Sequence, residues 1–174
     1  MKTVLLSSSV ILGLVLVLLV GCTSFITVEP GMTADPEARI ALVEGDKVKG
    51  IWQGKDLQVE YAVDTSPEHL SFSGRLLFGR ALLNSFPIVD HFTLRLNILD
   101  SDGRVITSSD ITPLYSFRNT VDESKTLAAR VIRPAGATAI AFNYFGVFLG
   151  QVNEEAGGDS WEIFQFPFQR SAEK

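Results

Sequence analysis

Cysteine is almost missing from this chain of 174 residues. Cys22 is the only one, so neither an intrachain disulfide nor a CxxC metal site can form. Histidine is nearly as scarce. His69 and His91 stand alone, without the HxH or HExxH spacing that would suit zinc. Basic residues are not in excess: 15 Lys plus Arg face 20 Asp plus Glu, a formal charge of −5. That balance excludes the positive face that nucleic acid demands. Beyond residue 21 there is no apolar run of about 18 residues or more, so the later chain carries no membrane-spanning helix. Disorder is excluded for the opposite reason, because Leu, Ile, Val and Phe are abundant there.

The first 21 residues hold one charge, Lys2, followed by the apolar run Val10–Val20 broken only by Gly13. Removing them leaves 14 Lys plus Arg against 20 Asp plus Glu, or −6, on about 150 residues, one domain's worth of chain. A positive start, a short apolar stretch and a small residue before a cleavage point make a secretory signal peptide. The segment Leu19-Val20-Gly21-Cys22 resembles the lipobox of bacterial lipoproteins: a branched apolar residue, a tolerant position, a small residue, then cysteine. The resemblance covers about 23 residues and leaves the mature domain unassigned. It implies cleavage before Cys22, a diacylglycerol on its thiol, and frequent acylation of the freed amine. The covalent lipid on Cys22 is then the only attached group expected. Membrane lipid becomes the first partner, beside an unidentified envelope protein or ligand. Thr23 follows the cysteine where an Asp commonly retains Gram-negative lipoproteins at the inner membrane. In such a cell the resemblance implies the outer membrane, facing the periplasm. Two other readings stay open: an uncleaved signal anchor oriented by Lys2, and an ordinary thiol beside a cleavage site elsewhere.

Residues 22–35 read as a lipidated N-terminus and tether, because Pro30-Gly31 and Asp35-Pro36 are breaker signals and periodicity is weak. Residues 36–174 read as the folded domain. Asp35-Pro36-Glu37 can open a short helix, or Arg39–Val43 can be a first strand, so residues 36–44 are left as either. From Ile51 onward the period is two. Leu57, Val59, Tyr61 and Val63 alternate with polar neighbours, as do Leu70, Phe72 and Gly74, and then Phe92, Leu94, Leu96 and Ile98. Asp100-Ser101-Asp102-Gly103 is a turn before Val105–Thr107. Thr120-Val121-Asp122-Glu123 has the form of a capping box, but the alternation from about Thr126 to Ile132 favours a strand. Ala139–Leu149 is almost wholly apolar, as a central strand would be, and Trp161–Phe168 closes the series. The fold class expected is all-β: an antiparallel β-sandwich, immunoglobulin/fibronectin-like or jelly-roll-like, behind an N-terminal signal helix.

Catalytic chemistry finds little support, and the chain is read as no enzyme. Gly158-Asp159-Ser160-Trp161-Glu162 departs from GxSxG at its last position and precedes a strand. Only His69 or His91 could serve as base for a hydrolase, the least favoured alternative. Asp90 next to His91 should point to the opposite face of its strand. Asp100–Gly103 begins like a calcium loop but lacks the later ligands, so no metal is expected. Gly50-Ile51-Trp52-Gln53-Gly54-Lys55 reads as hairpin glycines around an aromatic. Aromatics supply the remaining signal, since eight of the seventeen fall between Phe142 and Phe168. The strand Trp161–Phe168 carries apolar groups on both faces, and only one can enter a core. The reading is a membrane-anchored envelope lipoprotein with a non-catalytic binding or structural role. Its alternative is a ligand-binding module for glycan or an apolar ligand, with Trp52, Tyr144 and Trp161 as the candidate surface.

Overall fold

A computed structural model describes residues 27–115, 120–150 and 159–170. Cys22 and the apolar leader lie outside them. The described residues form antiparallel strands in two large open sheets packed face to face, with a separate two-stranded pair beside them. One sheet has the order β3 (Lys47–Gln53), β4 (Leu57–Thr65), β5 (His69–Phe78), β8 (Ser124–Ile132). The other runs β10 (Ser160–Gln165), β9 (Ala139–Leu149), β6 (Ile88–Leu99), β7 (Val105–Asp110), with β2 (Ile40–Ala41) also on β9. This is the antiparallel sandwich expected from the alternation.

Period two explains why these segments pair as they do. Val59, Val63, Leu70, Phe72 and Leu76 of one sheet face Leu94, Leu96, Ile98, Phe142 and Phe148 of the other, all buried. Phe142 is the hub, with Trp52, Phe72 and Tyr61 rings 5.2, 5.8 and 5.9 Å away. Gly50 and Gly74 lie opposite Tyr61 on its two neighbouring strands. A side chain on Gly50 would collide with the Tyr61 hydroxyl, so this glycine lets the ring fold over the sheet toward Phe142. On the solvent face Glu60 and Arg75 form a bidentate pair at 3.1 Å.

β9 is the central strand expected, paired along its whole length with β6 and, on the other edge, with β10 and β2. The stretch after Thr120 is a strand and not a helix; Thr120 itself bridges Ile88. Residues 36–44 combine both options, with a 3-10 turn at Pro36–Ala38 followed by β2. Asp35 makes no side-chain cap and accepts a hydrogen bond from Gln169 Nε2 at 2.9 Å. Helix α1 (Arg80–Ser85) was not anticipated: Gly79 at its N-cap supplies no side-chain cap, and six residues give no visible period.

The expected tether differs most from the structure. Val28, Met32 and Ala34 are buried together with Leu99, Val105, Ala139, Ala141 and Phe168, on the outer face of the five-stranded sheet. β1 (Thr33–Ala34) pairs with β11 (Phe168–Gln169), and Gly31 and Met32 exchange backbone hydrogen bonds with Val105. Breaker residues here shape a strap laid on the sheet rather than a free linker. Arg39 fixes it, donating from Nε and Nη2 to the Ala34 carbonyl. The guanidinium lies against Gly103, where φ is +81° and a side chain would clash with it. Beside this cluster Asn97 and Asn143 are buried, and Asn97 Nδ2 donates to Asn143 Oδ1 at 2.8 Å and to the Ala141 carbonyl.

Candidate functional site

The three aromatics proposed as a surface are placed in two settings. Trp52 and Tyr144 belong to the core, at 8% and 1% exposure, with ring centroids 6.0 Å apart in an edge arrangement. Both rings are thus largely covered: Trp52 lines a separate groove of about 460 Å³ with Ile51, Gln53, Tyr61 and Gln165, and Tyr144 reaches the Trp161 end only through its hydroxyl. β3 alternates between an exposed face and the core side that holds Trp52, whereas β9, which holds Tyr144, has no exposed residue. Trp161 is 51% exposed and stacks on Phe86, the residue that ends α1, at 5.6 Å and 29°. The double-sided apolar pattern of Trp161–Phe168 resolves along the strand. Ile163 enters the core, Phe166 and Phe168 join the strap cluster, and Trp161 and Phe164 remain exposed.

Trp161 forms one wall of a groove of about 290 Å³ at the end of the sandwich where α1 and the β3–β4 turn meet. Leu82 and Phe86 make its apolar floor, and Lys55, Asp56 and Ser85 line it with polar groups. Tyr144 anchors this rim from within. Its hydroxyl donates to Asp56 Oδ2 at 2.9 Å and accepts from the Asp56 N–H at 3.2 Å. Burial, together with the Asp56 carboxylate, holds the phenol well above its ordinary value of 10.0, so it stays protonated and keeps donating. Gln165 Oε1 accepts from the Lys55 N–H at 3.1 Å, tying β10 to the same turn. The second carboxylate oxygen of Asp56, the Lys55 ammonium, the Ser85 hydroxyl and the Trp161 indole N–H have no partner among the described residues.

The hydrolase candidates are not gathered. His69 opens β5 in the four-stranded sheet with Nδ1 3.9 Å from Glu68, whereas His91 lies in the other sheet. A bulge between Val89 and His91 leaves Asp90 and His91 both exposed, where simple alternation would separate them. The His91 ring meets Thr93 and Phe145; it lines an open groove with Asp90, Asp110 and Thr112, but forms no ion pair with a carboxylate among the described residues. Ser160 begins β10 in an exposed position. Among the described residues no three His, Cys, Asp or Glu side chains converge on a metal position. Asp100 Oδ1 is engaged in its own turn, accepting from the N–H groups of Asp102 and Arg104 at 2.9 and 2.8 Å.

No protein-family model matches the chain, and no curated protein matches it. Asp56, Ser85 and Phe86 went unnoticed in the sequence, and Lys55 was read only as the end of a glycine hairpin. They come from the β3–β4 turn and the end of α1, and nothing in their local pattern marks them as neighbours of Trp161.

Proposed function

We propose that this protein is a lipid-anchored lipoprotein of the bacterial cell envelope with a non-catalytic binding role. The observation that carries the reading is the apolar leader ending in Leu19-Val20-Gly21-Cys22. Acylation at Cys22 would supply two or three chains, enough for stable anchoring at about 0.8 kcal/mol per buried methylene. In a Gram-negative cell, Thr23 in place of Asp sends the protein to the outer membrane, facing the periplasm.

Two features of the fold support this reading. Val28, the first buried residue among those described, follows Cys22 by only six positions. Six residues reach about 20 Å at most. The domain is thus held against the bilayer with its strap end nearest the lipid. The groove at Trp161 favours binding over a purely structural role, since it combines an exposed aromatic with polar groups that have no partner among the described residues.

Cys22→Ala tests the anchor. The variant should accumulate as unprocessed precursor, incorporate no labelled fatty acid, and leave the acylated membrane fraction. Normal maturation and labelling of the variant would refute the reading.

A further inference from the structure

We propose that the groove between Trp161 and the β3–β4 turn binds a neutral sugar ring of the envelope glycan. This deepens the binding role proposed above. Three properties of the groove point to that chemistry. The first is shape: an indole half exposed and already stacked on Phe86 presents a rigid, flat apolar surface. A pyranose ring offers a matching face of C–H groups.

The second is polarity. Lys55, Ser85 and the indole N–H can donate, while the free oxygen of Asp56 and the Ser85 hydroxyl can accept. An alkyl ligand would strip these groups of water and return no hydrogen bonds. Vicinal hydroxyls at the ring edge can satisfy donors and acceptors together. The third is charge. The charged residues among its lining are Lys55 and Asp56, of opposite sign, so the lining carries no net charge to select an ion. Asp56 is also prepositioned, since the buried Tyr144 hydroxyl holds its other oxygen.

Position agrees with this assignment. β9 is 11 residues long, roughly 35 Å at strand rise. Its first residue, Ala139, lies in the strap cluster and its last, Leu149, pairs with Ser160 next to Trp161. With the strap end nearest the lipid, the groove opens away from the bilayer.

The test uses the full chain in nanodiscs, free of sugar-headed detergent. N,N′-diacetylchitobiose and cellobiose are the sugar probes, and decanoate is the apolar one. Binding is read by ligand-observed saturation-transfer NMR. A Trp52→Phe variant additionally reports Trp161 emission alone. The proposal expects saturable transfer to at least one disaccharide with a shift in Trp161 emission. Trp161→Ala should weaken binding at least tenfold and Lys55→Met several-fold, with melting curves unchanged. No saturable binding of either disaccharide, saturation by decanoate alone, or undiminished sugar binding in both variants would overturn it. The same titration on Cys22→Ala separates the two readings. Sugar binding without acylation leaves the groove assigned, while fatty-acid labelling alone decides the anchor.

Discussion

The space between the sheets and the patch beneath the chain ends are both apolar, yet they are assembled differently. Between the sheets, large rings interlock: Phe142 touches Trp52, Tyr61 and Phe72, while Phe78 meets Phe92 and Phe148. These contacts join strands far apart in the chain through two continuous ladders. The strap cluster pairs small residues, Ala34, Ala139 and Ala141, with a few larger ones, Val28, Met32 and Phe168. Two strands of two residues each, β1 and β11, close it. Short ladders at chain ends open at low cost, whereas a central strand opens only when the whole domain unfolds. The same solvent exclusion thus serves two levels of permanence in one molecule.

Three measurements put this contrast at risk. Phe142→Ala should have the largest effect, about 3–5 kcal/mol lost in urea unfolding, because the cavity lies where both sheets meet. A loss under about 1 kcal/mol would mean that the rings are not the common support. Met32→Ala should cost about 2 kcal/mol, concentrated in local opening. Hydrogen exchange at the amides of Gly31, Ala34 and Val105 should accelerate while β9 stays protected. Equal acceleration in both would show that strap and core form one cooperative unit.

Alkali gives the smallest effect near neutrality and touches the core alone. Tyr61, Tyr115 and Tyr144 all pack in or on the inter-sheet core, and none lies in the strap cluster. Burial raises all three phenols above the ordinary value of 10.0. The unfolded chain can therefore ionise at a pH where the folded one cannot. Stability is complete below about pH 10 and falls as pH rises above it. Phenolate absorbance should lag that of the urea-unfolded chain, and Tyr144→Phe should flatten the fall. Matching titration curves for folded and unfolded chain would contradict this.

The strands were legible because their burial is one-sided. Leu57–Val63 and Phe92–Ile98 write the inner face directly into alternate residues. Ala139–Leu149 betrays its central position by lacking a wet face. Legibility failed where burial comes from chain ends and loops. Val28 and Met32 lie among breakers with no period, and only their folding back onto Leu99 and Ala141 makes them core. Asn97 alternates as a surface residue should, yet it is fully buried beside Asn143. The candidate site was half visible. Trp161 stood out by type, but Trp52 and Tyr144 equally so, and only the register of β10 on β9 separates the exposed ring from the buried two. The anchor proposed at Cys22 lies outside the described residues and rests on sequence alone.

Antiparallel pairing of β1 with β11 sets Thr33 opposite Gln169. Under the anchor proposed at Cys22, anything fused behind Gln169 would therefore emerge on the anchored side of the domain and crowd the bilayer. A fluorescent reporter or affinity handle is better inserted in an exposed hairpin such as Ser66–Glu68, and judged by whether surface accessibility then improves.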